Sequence, residues 1–294
     1  AAATSAGIVL ASLGSDTAGS IREPAALCSV VGFKPTYNWT SLTGIVPLSW
    51  PLDVVGPISK TISDCAILFQ ALSKNYTNKE VTSLDNSYRL GILSEYFSPM
   101  EQGISKAYSE SIYNLESYFE CEEVASWNVE EVISTIFVIL TSESAAFLDK
   151  AIERNPNDFG GDVKEFVNMG KNFSTVDYLN AQRARRVIAD KVDELFDTYD
   201  FLIGPAQLIT APSPNEETLI IEGESLPRDI NLIKPLVLSS LCGYPAISIP
   251  FIKMENGSFF SIQVIGKRNS DNELMDFAKL LEKIFNLRYV NPLI

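Results

Sequence analysis

Leu13-Gly14-Ser15-Asp16-Thr17-Ala18-Gly19-Ser20-Ile21-Arg22-Glu23-Pro24 contains a run of small residues, Gly14 to Ser20, that ends on a serine and follows the apolar run Ile8 to Leu13. The apolar run predicts a strand, and the small residues predict a tight turn behind it. In such a turn backbone N–H groups converge on one point. With a carbonyl carbon against the Ser20 hydroxyl, the amides of Thr17, Ala18, Gly19 and Ser20 are candidates to face the oxygen on which negative charge develops. Ser20 is thus a candidate catalytic nucleophile, with an oxyanion hole from Thr17, Ala18 and Gly19, for acyl transfer.

A serine hydroxyl is a weak nucleophile at neutral pH and needs an adjacent base. The 294 residues contain no histidine, which excludes a Ser-His-Asp triad within them. The alternatives are a lysine kept neutral by burial, a carboxylate, or a base supplied from elsewhere.

The same segment is similar to the core signature of the amidase signature family. The match begins in the Ala-rich start and runs through Leu13 to Arg22 and Pro24-Ala25. It continues in Val31-Gly32-Phe33-Lys34-Pro35-Thr36-Tyr37, Gly44-Ile45-Val46-Pro47 and Leu52-Asp53-Val54-Val55-Gly56-Pro57-Ile58. Gly243-Tyr244-Pro245-Ala246-Ile247-Ser248-Ile249-Pro250 and Ile262-Gln263-Val264-Ile265-Gly266 fit farther down the chain. The resemblance implies an α/β amidase-signature-type fold, a mixed β-sheet core covered by α-helices on both faces, with residues 1–294 forming a single amidase domain.

It also implies a Ser-cisSer-Lys triad, in which a neutral lysine deprotonates a bridging serine that activates the nucleophile. Ser20 takes the nucleophile's place. In the family the bridging serine and the lysine lie upstream, and Ala1 aligns just after the Gly- and Ser-rich stretch that holds the bridging serine. The expectation is a domain lacking its N-terminal portion and inactive as the truncated chain. Lys34 belongs to the Gly-Phe-Lys-Pro-Thr segment that the family carries besides its catalytic lysine, so a structural role is expected of it.

Length and composition fit a large α/β domain, although single domains more often have about 100 to 200 residues. No 18-residue apolar stretch stands out and the start has no basic n-region, which argues against a membrane partner and a signal peptide. A net charge of −14 argues against direct nucleic-acid binding. Cys28, Cys65, Cys121 and Cys242 form no metal-ligand pattern; Cys28 and Cys242 read as buried thiols in a reducing, cytoplasmic setting. No metal or cofactor is expected. Four Asn-x-Ser/Thr sequons, beginning at Asn38, Asn75, Asn172 and Asn256, read as chance.

Helical spacing of Ile104, Tyr108, Ile112, Leu115 and Phe119 predicts a helix from Gly103 to Glu120, after a strand Arg89 to Leu93. Ser174 with Asp177 resembles a capping box opening a helix through Phe196. On that helix Arg183, Arg185 and Arg186 read as a solvated, ion-paired face, with Asp190, Asp193 and Glu194 close behind. Phe201 to Ile203, Ala246 to Pro250 and Phe260 to Ile265 read as strands, and Glu273 to Phe285 as a closing helix. Ile133 to Leu140 reads as core. Pro205 to Pro235 lacks periodicity and reads as a long surface loop or a lid over the acyl pocket.

Glutamine-using amidotransferase A subunits of the family hold the amino acid's charged ends with an arginine and an aspartate. Those positions align with Phe166 and Ile233, although a small gap would place Asp229 at the second. Burying a zwitterion against Phe and Ile is costly, so a small or moderately apolar amide is the favoured substrate. The expectation is an amidase that forms an acyl ester on Ser20 and releases acid and ammonia or amine. Its alternatives are the A subunit of a tRNA-dependent amidotransferase and a catalytically inert amidase-like scaffold. The expected partners are a small-molecule amide and either further copies of this chain or amidotransferase partner subunits.

Overall fold

The computed structural model describes residues 1–80, 87–93, 97–124 and 128–287. In chain order the elements are α1 (Ala2–Ser5), β1 (Ala11–Asp16), α2 (Arg22–Leu27), β2 (Val31–Lys34), β3 (Val54–Ser59), α3 (Ile62–Leu72), β4 (Arg89–Ile92), α4 (Gln102–Glu116), β5 (Glu120–Glu123) and α5 (Val129–Arg154). There follow α6 (Gly161–Lys171), α7 (Thr175–Leu195), β6 (Phe201–Pro205), β7 (Thr218–Ile221), β8 (Glu224–Pro227), α8 (Arg228–Ile233), α9 (Val237–Cys242), β9 (Ala246–Lys253), β10 (Phe259–Gly266) and α10 (Asp271–Ile284).

Eight strands form one mixed sheet in the order β1-β3-β2-β9-β10-β6-β4-β5. The pairs from β1 to β6 are antiparallel, whereas β6, β4 and β5 run parallel. Period-2 alternation gives the sheet two buried faces. Phe33, Ile247, Ile249, Phe260, Ile262 and Val264 point to one face, packed with Phe69, Ile104, Leu115, Phe277 and Leu281 of α3, α4 and α10. Leu202, Ala246 and Ile265 point to the other, packed with Ile136, Ile139, Ile188, Val192 and Leu241 of α5, α7 and α9. Helices therefore cover both faces of a mixed sheet, as expected.

The first strand lies three residues later than its apolar run. Ile8 and Leu10 are 77% and 92% exposed, while Ala11 to Asp16 pair with Ser59 to Val54 of β3. Small residues can be strand here because Gly14 opposes Gly56 in a crowded place. A Cβ on Gly56 would lie 2.1 Å from Phe33 O, and one on Gly14 would lie 3.1 Å from Ile21 Cγ1. The outer edge of β1 has no strand beside it among the described residues.

The predicted helix 103–120 ends at Glu116, because Glu120 to Glu123 form the parallel edge strand β5 beside β4. The polar composition of β5 hid it. The capping box at Ser174 and Asp177 is present and opens α7. The segment between Pro205 and Pro235 is not a structureless loop: it holds the β7–β8 hairpin and α8, with Leu219 and Ile221 of the hairpin buried.

By length and composition α5 is the one described helix able to cross a membrane. Half of its apolar window is buried within the fold, and Ile133, Ile136, Ile139 and Leu140 belong to the core. Cys65 and Cys242 are buried, whereas Cys28 is only half-buried because its segment ends at the surface beside α1.

Candidate functional site

The turn between β1 and α2 is held from inside by a buried ion pair. Asp16 and Arg22 are both fully buried, with Arg22 Nε 2.9 Å from Asp16 Oδ2 and Nη2 2.9 Å from Oδ1. Asp16 Oδ1 also accepts from Gly19 N at 2.8 Å and Oδ2 from Ile21 N at 3.3 Å, so one carboxylate organises both sides of Ser20. Burial pushes the Asp16 carboxyl upward. The charge and hydrogen bonds of Arg22, aided by Lys34, outweigh it and leave the group below its ordinary value.

Arg22 is anchored in turn. Its Nη1 donates to Leu236 O, Ser239 Oγ and Gln263 Oε1 at 3.2, 2.5 and 2.5 Å, and its Nη2 donates to Ser240 Oγ at 2.7 Å. A buried charge pair is tolerated when its remaining donors and acceptors are satisfied, and here α9 and β10 satisfy them. On the other side Thr17 Oγ1 donates to Asp53 Oδ1 at 2.6 Å. Asp53 Oδ2 accepts from the amides of Leu48 and Ser49, tying the turn to the loop before β3.

Gly19 adopts φ +132°, and a Cβ there would lie 2.7 Å from Leu236 Cδ1, so glycine is required. Its N–H is committed to Asp16. That bond sets Gly19 apart from the other three candidate amides, those of Thr17, Ala18 and Ser20, which make no hydrogen bond to protein among the described residues. Ser20 is exposed, and its hydroxyl likewise has no protein partner there. The arrangement presents a free hydroxyl beside free N–H groups on a rigid mount.

Lys34 is fully buried. Burial, reinforced by the charge of Arg22, lowers its pKa to about 7. Its Nζ has one hydrogen bond, to Pro35 O at 3.1 Å, and none to Ser20. A general base must reach the proton that it takes, and among the described residues Lys34 makes no hydrogen bond to Ser20. Glu23, on the first turn of α2, is raised to about 7 by burial and by the charges of Asp16 and Asp229.

Phe166 packs edge-on against Phe137, with centroids 6.1 Å apart. It and Ile233 are half-buried against the core cluster that contains Ala18. Asp229 pairs with Arg228 at 2.8 Å and lies close enough to Glu23 to act on its ionisation. Asp53 and Gln263 stand in segments that resemble the family but carry no role from sequence, and Ser239 and Ser240 stand in none. The signal available was a lone polar residue inside an apolar strand, as Gln263 is between Ile262 and Val264.

Fold and site together define a mixed α/β domain that presents a serine on a turn braced by a buried aspartate and arginine. The Amidase family model matches residues 1–275, and the chain belongs to that family. It is 31% identical over 321 aligned positions to the glutamyl-tRNA(Gln) amidotransferase A subunit of Wolinella succinogenes, covering 96% of this chain and 70% of that one. It is 31% identical over 325 positions to the Thermotoga maritima A subunit, covering 96% and 66%. A crystal structure of an amidase superimposes with a TM-score of 0.89 at 29% identity, covering 96% of this chain and 64% of that one. The crystal structure of the Thermotoga maritima A subunit superimposes with a TM-score of 0.75 at 30% identity, covering 99% and 66%. The chain thus spans about two thirds of the length of these relatives.

Proposed function

We propose that the protein to which these residues belong is an amidase that cleaves a carboxylic amide through an acyl ester on Ser20. The observation that carries this reading is the exposed Ser20 hydroxyl, free of protein partners, beside the open amides of Thr17, Ala18 and Ser20. Attack of Ser20 Oγ on the amide carbon would place the developing oxyanion against these donors. Collapse of the adduct breaks the C–N bond and releases ammonia or an amine. Water then cleaves the ester and regenerates the serine.

Membership in the family supports a Ser-cisSer-Lys relay for removing the Ser20 proton. Within the chain described, no lysine hydrogen-bonds Ser20. We place the relay serine and its lysine outside these 294 residues, and catalysis by the 294 residues alone is expected to be very weak. Phe166 and Ile233, packed with the cluster that contains Ala18, support a small or moderately apolar acyl group over glutamine.

The second reading, the A subunit of an amidotransferase, is favoured by identity to the two amidotransferase relatives and by Asp229, whose charge reaches Glu23 beside the turn. The test is made on the full-length protein with a fluorophosphonate, followed by mass spectrometry of the labelled peptide. Label on Ser20 is expected; label elsewhere, or none, overturns the acyl-ester reading and leaves the inert scaffold. Turnover of simple amides without a partner selects the amidase, and glutaminase activity that requires a partner protein selects the amidotransferase.

A further inference from the structure

Two guanidinium groups meet at the C-terminal end of α9. Arg185, on α7, donates from Nε to Leu241 O at 2.6 Å and from Nη2 to Pro51 O at 3.0 Å. Arg268, just after β10, donates from Nη2 to Cys242 O at 2.9 Å and stands 5.4 Å from the Tyr244 ring centroid. Cations commonly satisfy the last carbonyls of a helix in this way. The sequence reading of Arg183, Arg185 and Arg186 as one solvated, ion-paired face therefore fails for Arg185. It holds for Arg186, which pairs with Asp190 at 3.0 Å.

Capping uses only part of each fork. A guanidinium carries five N–H donors. Arg185 directs two of its own to protein carbonyls and Arg268 one. No carboxylate among the described residues forms an ion pair with either. Burial, together with the like charge of Arg268, holds Arg185 below its ordinary value against the opposing pull of Cys242.

Between these groups opens a cavity of about 290 Å³, whose wall includes Thr36, Gln182, Arg185, Arg186, Arg268 and Asn269, with no Asp or Glu in it. The nearby acids have partners of their own: Asp190 pairs with Arg186 and Asp271 holds Thr36, both wall residues, while Asp193 accepts from the Tyr244 hydroxyl. Arg186 is neutralised by Asp190, which leaves Arg185 and Arg268 as two guanidiniums without an ion pair among the described residues, in a chain whose net charge is −14. Capping explains the carbonyl bonds and leaves the remaining donors, and the charge, without a partner.

We propose that this cavity binds a small oxyanion, a phosphate or carboxylate group of a soluble metabolite, through the uncommitted N–H donors of Arg185 and Arg268. Paired N–H donors in a planar fork match both anions. Gln182 and Asn269 also line the cavity, held by bonds to Tyr178 and Trp39. The site lies at the Cys242 end of α9, whereas the Ser20 turn engages that helix and its approach at Leu236, Ser239 and Ser240. It stands independently of the amidase reading.

The test is isothermal titration of the full chain with inorganic phosphate and, separately, with succinate. Saturable binding at about 1 mM or tighter is expected for at least one of them. Tighter phosphate binding assigns the site to phosphate esters, and tighter succinate binding assigns it to carboxylates. Arg268→Gln keeps a donor for Cys242 O while removing the charge, and is expected to weaken binding about tenfold. Arg186→Gln, at an exposed position, gives a smaller loss and serves if the first variant fails to fold; Arg89→Ala, remote from the cavity, leaves binding unchanged. Absence of saturable binding of either anion, or wild-type affinity in a folded Arg268→Gln protein, overturns the proposal.

Discussion

Leu236 occupies the space that a side chain on Gly19 would need, with its Cδ1 2.7 Å from the position of a Cβ there. The contact joins the serine turn to the residue that leads into α9. Gly19→Ala therefore meets both a positive φ and a packed neighbour, and is expected to destabilise the fold by about 1 to 3 kcal/mol. Leu236→Ala in the same chain is expected to recover part of that loss and not the conformational part, which urea denaturation of the two single variants and the double variant will measure.

Arg22 has six hydrogen bonds to Asp16, Leu236, Ser239, Ser240 and Gln263. Arg22→Met leaves the Asp16 charge buried and unpaired, for an expected loss of about 3 to 5 kcal/mol. Equilibrium unfolding at neutral pH checks it. Adding Asp16→Asn is expected to return part of the loss, because no lone charge then remains inside.

Ser20 is exposed and makes no protein hydrogen bond with its hydroxyl among the described residues. Ser20→Ala is thus expected to leave the melting temperature unchanged. In the full-length protein it is expected to lower amide turnover by about 10⁴-fold or more. Steady-state kinetics beside a thermal melt separate the two effects.

Glu23 ordinarily titrates near 4.5 and is raised to about 7 in the folded protein. Between these values the folded state holds a proton that the unfolded state has released, so this group makes stability fall as pH rises through the window. Glu23→Gln is expected to flatten that slope and, at pH 8, to be more stable than the parent by about 2 kcal/mol. Unfolding free energies from pH 4 to 8 decide it.

The site was legible in the sequence where one short segment carries it. Asp16, Gly19, Ser20 and Arg22 all lie in the opening turn. The residues that hold Arg22 were not legible, because Gln263 and Ser239 reach it only through the sheet order that sets β10 and α9 beside α2. Strongly periodic elements such as α7 and β10 were readable from local pattern. β5 and the β7–β8 hairpin were not: β5 is charged and lies at an edge, and the apolar run Leu219 to Ile221 of β7 is too short to stand out in a Pro- and Glu-rich segment. Sequence offers the four amides of Thr17, Ala18, Gly19 and Ser20 as equivalent donors. As hydrogen-bond donors they differ through the carboxylate of Asp16, which takes up the Gly19 N–H.

The bare outer margin of β1 has a practical consequence for anyone handling these 294 residues by themselves. Its outward main-chain groups, which pair with no strand among the described residues, run just after Ile8 and Leu10, and Leu13 on the strand is itself 55% exposed. Such a margin accepts any extended chain offered to it. Solubility should therefore fall steeply with concentration, and a lysine at position 10 or 13 should restore it without touching the serine.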